Sequence, residues 1–300
     1  MIVKVFHGFC MALADSVPGV SGGTVAFILG FYEPFLNALH GLFGKDPAAR
    51  RGGFVYLAKL GVGWCLGLGV SVVVLTNLYH TETYLLSSLF LGLTAASLPF
   101  ILFRERGVLA GRLSRLPLAV LGCGLVCALS LLRRMSTTIS GVDYLDLSVG
   151  EGIYLFLAGA LAITAMVLPG ISGSTLLLIF GVYVPTLHAL RGLLDGDFSA
   201  LPGLVMLCLG VLAGVGVSIR GIRAALRRHR AAMMYFIAGL MAGSLFAIAM
   251  GPTTLPQPQP ALDLGTFHLP GFLAGILILV ALERLRVVIA CRERRARQGL

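Results

Sequence analysis

The chain has few charged residues for its length. Asp, Glu, Lys and Arg together make up 12% of its 300 residues, whereas hydrophobic residues make up 57%. A soluble globular domain carries about 25% charged residues, so this composition excludes an ordinary soluble protein. Apolar runs long enough to cross a bilayer recur along the chain. We therefore predict an all-α polytopic membrane protein.

Acidic residues are scarcer than basic ones. The chain has 13 Asp and Glu against 23 Lys and Arg, which gives a net charge of +10. A basic protein can bind nucleic acid, but here the basic residues lie in short loops beside apolar segments and no soluble module accompanies them. This arrangement is typical of cytoplasmic loops that face anionic lipid. We expect membrane lipids as partners and no nucleic acid.

The sequence also lacks the cysteine and histidine spacings of metal sites. Cys123 and Cys127 lie one helical turn apart, but no second Cys or His pair accompanies them. Neither a zinc site nor a disulfide follows from this pattern. Most of the six cysteines lie in apolar runs, where they act as small hydrophobic residues. We expect no metal and no cofactor.

What the sequence does contain is one motif in two copies. Residues 18–24 read PGVSGGT and residues 169–175 read PGISGST, an offset of 151 residues. The similarity continues beyond the motif, because Gly30 and Tyr32 recur as Gly181 and Tyr183. Later segments repeat at an offset of 147. A half-length repeat with a Pro-Gly break inside apolar sequence predicts two equivalent halves.

Each half is predicted to contain a Pro-Gly-broken, re-entrant helical hairpin followed by three transmembrane helices. Repeat 1 covers residues 1–135, with the hairpin at 3–43 and spans at 54–76, 84–103 and 116–132. Repeat 2 covers residues 150–290, with the hairpin at 150–194 and spans at 201–219, 233–250 and 270–290. Residues 291–300 form a basic cytoplasmic tail.

The distribution of basic residues predicts the orientation of these segments. The basic loops 104–115 and 220–230 and the tail are assigned to the cytoplasm, and the loops 77–83, 136–150 and 251–268 to the outside. Both termini are then cytoplasmic, and the two hairpins enter from opposite faces as an inverted-topology repeat. Charge counting does not distinguish a re-entrant hairpin from two full crossings. The short first arm and the break favour the hairpin.

The residues after each break have the chemistry of an anion site. Irregular backbone at membrane depth must line a cavity or be buried in protein. A new helix opens after each break, and its free amides, its hydroxyls and its flanking glycines suit an anion. The alternative is that these hydroxyls only cap the helices. The predicted binding residues are Ser21, Gly22, Gly23, Thr24, Ser172, Gly173, Ser174 and Thr175, and the breaks themselves are Pro18, Gly19, Pro169 and Gly170.

Three charged residues are candidates for further roles. Asp15 and Glu33 flank the first break, and acids at membrane depth usually mark an ion pathway or a proton relay. Coupling to a proton or another cation would then use these two residues, although Asp15 could equally cap the hairpin turn and Glu33 could lie at the interface. Arg220 closes a span and could pair with a phosphate, or could simply be a topology signal.

At these residues the chain resembles a known family. Residues 14–24 (ADSVPGVSGGT) with GFYE at 30–33, and residues 168–174 (LPGISGS) with GVY at 181–183, are similar to the two signatures of the bacterial polyprenyl-phosphate transporter family. The resemblance covers nearly the full length. It implies a non-enzymatic flippase in the bacterial cytoplasmic membrane that returns undecaprenyl phosphate to the inner leaflet and so recycles the lipid carrier of peptidoglycan and cell-envelope synthesis. Val184 stands where the family often has an acid.

Two other functions are compatible with the sequence. The same architecture could transport another anion. The G-x-S-G residues around Ser21 and Ser172 also resemble the nucleophile motif of rhomboid proteases. A serine hydrolase would need a histidine base at membrane depth. No histidine lies in the interior of a later span, so this alternative is weak.

Overall fold

Helices account for almost all of the chain that can be described. The computed structural model describes residues 2–15, 21–71, 82–135, 144, 147–254 and 259–298. In chain order the helices are α1 Ile2–Asp15, α2 Gly22–Ile28, α3 Tyr32–Leu42, α4 Pro47–Val70, α5 Thr83–Arg104, α6 Leu116–Met135, α7 Val149–Val167, α8 Gly173–Ile179, α9 Tyr183–Leu194, α10 Leu201–Arg228, α11 Arg230–Ala249 and α12 Leu269–Gln298. One helical turn, Arg106–Leu109, and two short 3₁₀ segments, Leu113–Arg115 and Gly251–Thr254, lie between them.

Within these residues, six helical segments are long and apolar enough to cross a membrane. They are Pro47–Val70, Thr83–Arg104, Leu113–Leu132, Val149–Val167, Leu201–Arg228 and Arg230–Ala249. The start of α12, Leu269–Ala281, is a shorter apolar helix. These segments confirm the prediction of a polytopic α-helical membrane protein.

The two arms that precede the breaks differ in length. Helix α1 has 14 residues, or roughly 21 Å at the usual helical rise, and is too short to span alone. Helix α7 has 19 residues and qualifies as a crossing by length and composition. The re-entrant hairpins therefore stay a prediction, and in the second half a full crossing is equally compatible with the length.

Some helices extend further than the hydrophobic pattern indicated. Helix α4 begins at Pro47 rather than near residue 54, because the Asp46 carboxylate caps its first turn by accepting the Ala48 amide at 2.9 Å. Helix α10 continues to Arg228 rather than stopping at 219, so most of the predicted basic loop is helical. Helix α12 runs on through most of the predicted tail.

Glycines bring four pairs of helices into close contact. Helix α1 packs on α4, α7 on α10, α5 on α12, and α6 on α11. A β-carbon at Gly63 of α4 would overlap the carbonyl oxygen of Val5, and one at Gly210 of α10 would overlap that of Phe156. Small residues permit this backbone-to-backbone approach, which is how transmembrane helices commonly associate.

The packing repeats when the two halves are exchanged. The α1–α4 pair corresponds to α7–α10, and the α5–α12 pair corresponds to α11–α6. The equivalent helices α5 and α11 contact each other where the halves meet, and they are the most enclosed of the crossing segments, with 50% and 56% of an 18-residue apolar stretch buried in each. Each half thus contributes helices to the packing of the other.

The turns after α2 and α8 are also equivalent. Gly30 and Gly181 have φ angles of 74° and 66°, a left-handed conformation that glycine adopts without strain. The amide of Phe31 donates to the carbonyl of Ala26 at 3.0 Å, and the amide of Val182 donates to that of Leu177 at 2.9 Å. These are the same positions of the repeat, so the internal duplication extends to backbone hydrogen bonds.

Candidate functional site

The second Pro-Gly break turns the chain against the centre of the molecule. After α7 ends at Val167, Pro169 is fully buried and Gly170 adopts a φ of 93°. A β-carbon at Gly170 would lie 2.6 Å from the backbone carbon of Leu240 in α11. Only glycine combines this φ with this approach, which explains the residue type. Pro18 and Gly19 of the first break lie outside the described residues.

The two copies of the motif meet. The amide of Gly170 donates a buried hydrogen bond of 2.8 Å to the hydroxyl of Thr24, which lies 146 positions earlier in the chain. Beside this bond, a β-carbon at Gly23 would lie 3.2 Å from the carbonyl oxygen of Met166 and 3.3 Å from that of Leu168. The start of α2 is therefore packed against the second break, so the predicted residues of both halves share one location.

The N-terminus of α2 is closed by acceptors from the protein. The amide of Gly22 donates to the Asp15 carboxylate at 2.7 Å, and the amide of Gly23 donates to the Ser21 hydroxyl at 3.2 Å. The indole N–H of Trp64 donates to the other Asp15 oxygen at 3.2 Å. Ser21 and Thr24 are almost completely buried. Asp15 thus caps the start of α2, in agreement with the capping role weighed for it from the sequence.

The N-terminus of α8 is more open. Ser172 precedes the helix, and its hydroxyl shares a hydrogen bond of 2.8 Å with the hydroxyl of Ser174 rather than capping a backbone amide. Ser172, Ser174 and Thr175 are half-buried. The position equivalent to Asp15 is Met166, which carries no acceptor on its side chain for these amides. The polar groups that a ligand could reach therefore belong mainly to the second half.

This asymmetry changes the electrostatics expected of the site. Helices α2 and α8 have seven residues each, so their dipoles are short and act only close to the first turn. An anion at α2 would also meet the carboxylate of Asp15. The groups suited to an anion are consequently the hydroxyls and terminal amides of α8, which follows the Gly170 amide bonded to Thr24.

Glu33 lies apart from the two breaks in an ion-pair cluster. The Arg230 guanidinium contacts Glu33 at 3.0 Å and Glu105 at 3.1 Å. The side chain of Glu33 is 56% exposed. An acid in this setting is already paired and accessible, so the geometry agrees with the interfacial role weighed for Glu33 and does not support a coupling role at membrane depth.

Arg220 also lies apart from the breaks. It is exposed on α10, close to His40 at the end of α3. Partial burial, together with the charges of Arg223 and Arg220, lowers the pKa of His40 below its ordinary value. Within the described part of the chain, no hydrogen bond joins Arg220 to the residues of either break.

Sequence reasoning missed three residues that take part in these hydrogen bonds and ion pairs. Trp64 was not distinguished from the other residues of its span, although it donates to Asp15. Arg230 and Glu105 were treated only as loop residues. The charge pattern offered a signal for only one pair, because Glu105 and Arg230 lie in loops that the topology assigns to the same face, whereas Glu33 lies inside the predicted first hairpin.

The geometry does not favour the hydrolase alternative. In the described residues, the Ser21 hydroxyl accepts a backbone amide, and the Ser172 hydroxyl pairs with another serine. Neither serine has a hydrogen bond to a histidine among the described residues, so no base is in place to activate it.

The fold and site define a polytopic α-helical membrane protein with a duplicated motif whose two copies are joined by the Gly170–Thr24 hydrogen bond. Residues 11–263 match the model of a family described as undecaprenyl phosphate translocase-like, and the chain belongs to this family. It is 31% identical over 263 residues to the polyprenyl-phosphate transporter of Staphylococcus aureus, covering 84% of this chain and 88% of that protein.

A second relative has the same name. The polyprenyl-phosphate transporter of Vibrio cholerae is 30% identical over 248 residues, covering 79% of this chain and 74% of that protein. No solved structure matches the chain significantly. Both relatives are named as transporters rather than enzymes, in agreement with the prediction of a non-enzyme, and the family resemblance seen in the sequence is confirmed.

Proposed function

We propose that the protein transports polyprenyl phosphate, and undecaprenyl phosphate in particular, across the bacterial cytoplasmic membrane. Membership of the undecaprenyl phosphate translocase-like family and the names of both relatives support this substrate class. Its role would be to return the lipid carrier of cell-wall synthesis to the inner leaflet.

One observation supports the location that we propose for the substrate site. The Thr24 hydroxyl and the Gly170 amide join the two motif copies by a buried bond, so the polar groups of both halves are adjacent. We place the phosphate at this junction near the bilayer midplane, with Ser172, Ser174 and Thr175 as donors. Ser21, Gly22 and Gly23 support the junction, because their polar groups are buried or already paired.

The physical chemistry of the substrate suits such a site. A prenyl chain can stay among the lipid tails, since moving each CH₂ into water would cost about 0.8 kcal/mol. Only the phosphate needs a polar route across the apolar layer. Hydroxyls and backbone amides supply one without an unpaired protein charge at membrane depth.

Transport would proceed by alternating exposure of this junction. The halves share contacts between α5 and α11, and the glycine-lined pairs allow helices to lie close together without bulky side chains. In the inverted arrangement, one half would move against the other around the fixed site. Asp15 remains a candidate for coupling to a proton or cation, while Glu33 is held by Arg230.

The test is transport by a variant that lacks two hydroxyls at the open helix. In proteoliposomes, Ser172→Ala with Ser174→Ala is expected to slow undecaprenyl phosphate translocation by about tenfold or more, because each lost charge-assisted bond costs about 1.5 kcal/mol or more. Ser130→Ala is the matched control, since this partly buried serine only bonds the Val126 carbonyl of its own helix. Unchanged transport by the double variant would overturn the site. Equal transport of a short-chain anion would favour the other-anion alternative.

A further inference from the structure

A cleft lined by arginines lies between α3, α10 and α11, and its lining includes neither Thr24 nor Gly170. Its outer cavity measures about 380 Å³ and is lined by Glu33, Leu36, Asn37, Arg223, Arg227 and Arg230, with Leu226. An inner cavity of about 190 Å³ shares Glu33, Leu226 and Arg230 with it and reaches Phe27 and Tyr32. We call these two cavities the basic cleft.

The charges of the basic cleft do not balance. Arg223, Arg227 and Arg230 line its outer cavity against one acid, Glu33, which leaves a formal charge of +2. Glu33 is paired with Arg230, which also pairs with Glu105. Within the described residues, Arg223 and Arg227 form no ion pair, and Arg223 is half-buried.

The helical extension of α10 is what aligns these arginines. Arg220, Arg223 and Arg227 are spaced by three and four residues, so they fall on one face of the helix. In an irregular loop the same residues would point in different directions.

A polar group without a partner belongs to one of the residues that line the inner cavity. Tyr32 is 2% exposed, and its hydroxyl has no hydrogen-bond partner among the described residues. A buried hydroxyl without a partner is costly unless a water or a ligand supplies one. The same cavity begins at Gly30, just beyond α2, whose seven residues span roughly 10 Å from the start of that helix. The basic cleft therefore lies about one short helix away from the junction of the breaks.

We propose that the basic cleft is a second anion site that binds a phosphate monoester through Arg223 and Arg227. A monoester carries a charge of about −1.5 to −2 at pH 7, which matches the uncompensated charge of the cleft, whereas the phosphodiester of a common anionic lipid carries only one. Arginine forms paired hydrogen bonds to phosphate oxygens. This role rests on the proposed transport function: the site serves as an entry or exit station for the lipid headgroup, separate from the junction of the breaks.

Chemical modification of arginines tests this assignment directly. With the full chain in phosphatidylcholine nanodiscs, phenylglyoxal labelling is followed residue by residue by mass spectrometry, with inorganic phosphate or farnesyl phosphate added. We expect both ligands to protect Arg223 and Arg227 but not Arg112 and Arg115. Protection by farnesyl phosphate alone would identify the lipid as the source, whereas equal protection by inorganic phosphate would identify the free anion.

Variants make the proposal falsifiable. Arg223→Gln with Arg227→Gln is expected to weaken farnesyl phosphate binding by about tenfold or more. Arg112→Gln with Arg115→Gln removes the same charge from exposed positions outside the cleft and is expected to leave binding unchanged. Equal loss in both double variants would mean that the arginines act only through general charge, and would overturn the site.

Two further measurements complete the test. Tyr32→Phe is expected to weaken farnesyl phosphate binding several-fold without lowering thermal stability. Unchanged binding would contradict a role for the inner cavity in holding the ligand. The second measurement repeats the labelling in phosphatidylglycerol nanodiscs. If this phosphodiester lipid protects Arg223 and Arg227 to the same extent as farnesyl phosphate, the monoester assignment is overturned. Because the Ser172→Ala, Ser174→Ala variant should keep the protection, failure of the junction site and failure of the cleft are distinguishable.

Discussion

At the scale of single residues, Asp15 connects three helices. Its carboxylate, at the end of α1, accepts the first amide of α2 and the indole N–H of Trp64 in α4. Losing such a capping acceptor costs about 0.5–2 kcal/mol. We predict that Asp15→Ala lowers the free energy of unfolding by this amount and that Asp15→Asn lowers it less, because the amide oxygen still accepts one bond.

The measurement is thermal unfolding in detergent together with tryptophan fluorescence. The chain has one tryptophan, so an emission change in either variant reports on the surroundings of Trp64 and on no other site. If Asp15→Ala were as stable as the parent chain, the capping role would be wrong. Proton-driven transport by Asp15→Asn in proteoliposomes would exclude Asp15 as the coupling group.

Residue chemistry at the breaks was partly predictable. The duplicated motif pointed to Thr24 and Gly170, because a repeat with a break must bury or line polar backbone. It could not predict that Asp15 closes one helix while Ser172 leaves the other open, since the difference depends on which side chains reach the terminal amides in three dimensions. The pairing of Glu33 with Arg230, 197 positions away, was unpredictable for the same reason.

At the scale of helices, glycine positions decide which helices touch. Gly63 and Gly210 are equivalent in the repeat, and both face a backbone carbonyl of the arm that precedes a break. We predict that Gly63→Ala and Gly210→Ala each destabilise the protein by about 1–3 kcal/mol through overpacking. Thermal unfolding of the purified variants measures this loss.

The same helices provide controls. Gly61 in α4 and Gly221 in α10 have no atom within 4 Å of a β-carbon position. Alanine at these sites should be neutral or slightly stabilising, since alanine favours a helix over glycine by about 1 kcal/mol. Losses of equal size at Gly61 and Gly63 would show that helix packing is not the cause.

Helix number and order were predictable from apolar runs, but several ends were not. Hydropathy places a boundary where charge begins, whereas a helix continues as long as its backbone bonds are satisfied. Helix α10 therefore passes through the arginines to Arg228, and α4 starts at the Asp46 cap within the polar segment. The i, i+3 and i+4 spacing of the arginines was the available signal for the first case.

At the scale of the whole molecule, the halves are related by exchange of their helix pairs. The pairs α1–α4 and α7–α10 lie within the halves, while α5–α12 and α6–α11 cross between them. Neither half can therefore form its full packing without the other. The contacts are compatible with an inverted repeat, but their orientation in a bilayer depends on where the charged loops lie.

Surface labelling of cysteine variants in intact cells tests that orientation. We predict that Ser199→Cys and Leu264→Cys react with a membrane-impermeant maleimide from outside, and that Ala48→Cys and Ser114→Cys react only after permeabilisation. All four positions are exposed, and the parent chain supplies the background from its native cysteines. Ala48 and Ser199 follow the equivalent helices α3 and α9. If both positions label from the same side, the two hairpins enter from one face. That result would contradict the inverted topology, and with it the proposal that halves entering from opposite faces share a site at Thr24 and Gly170.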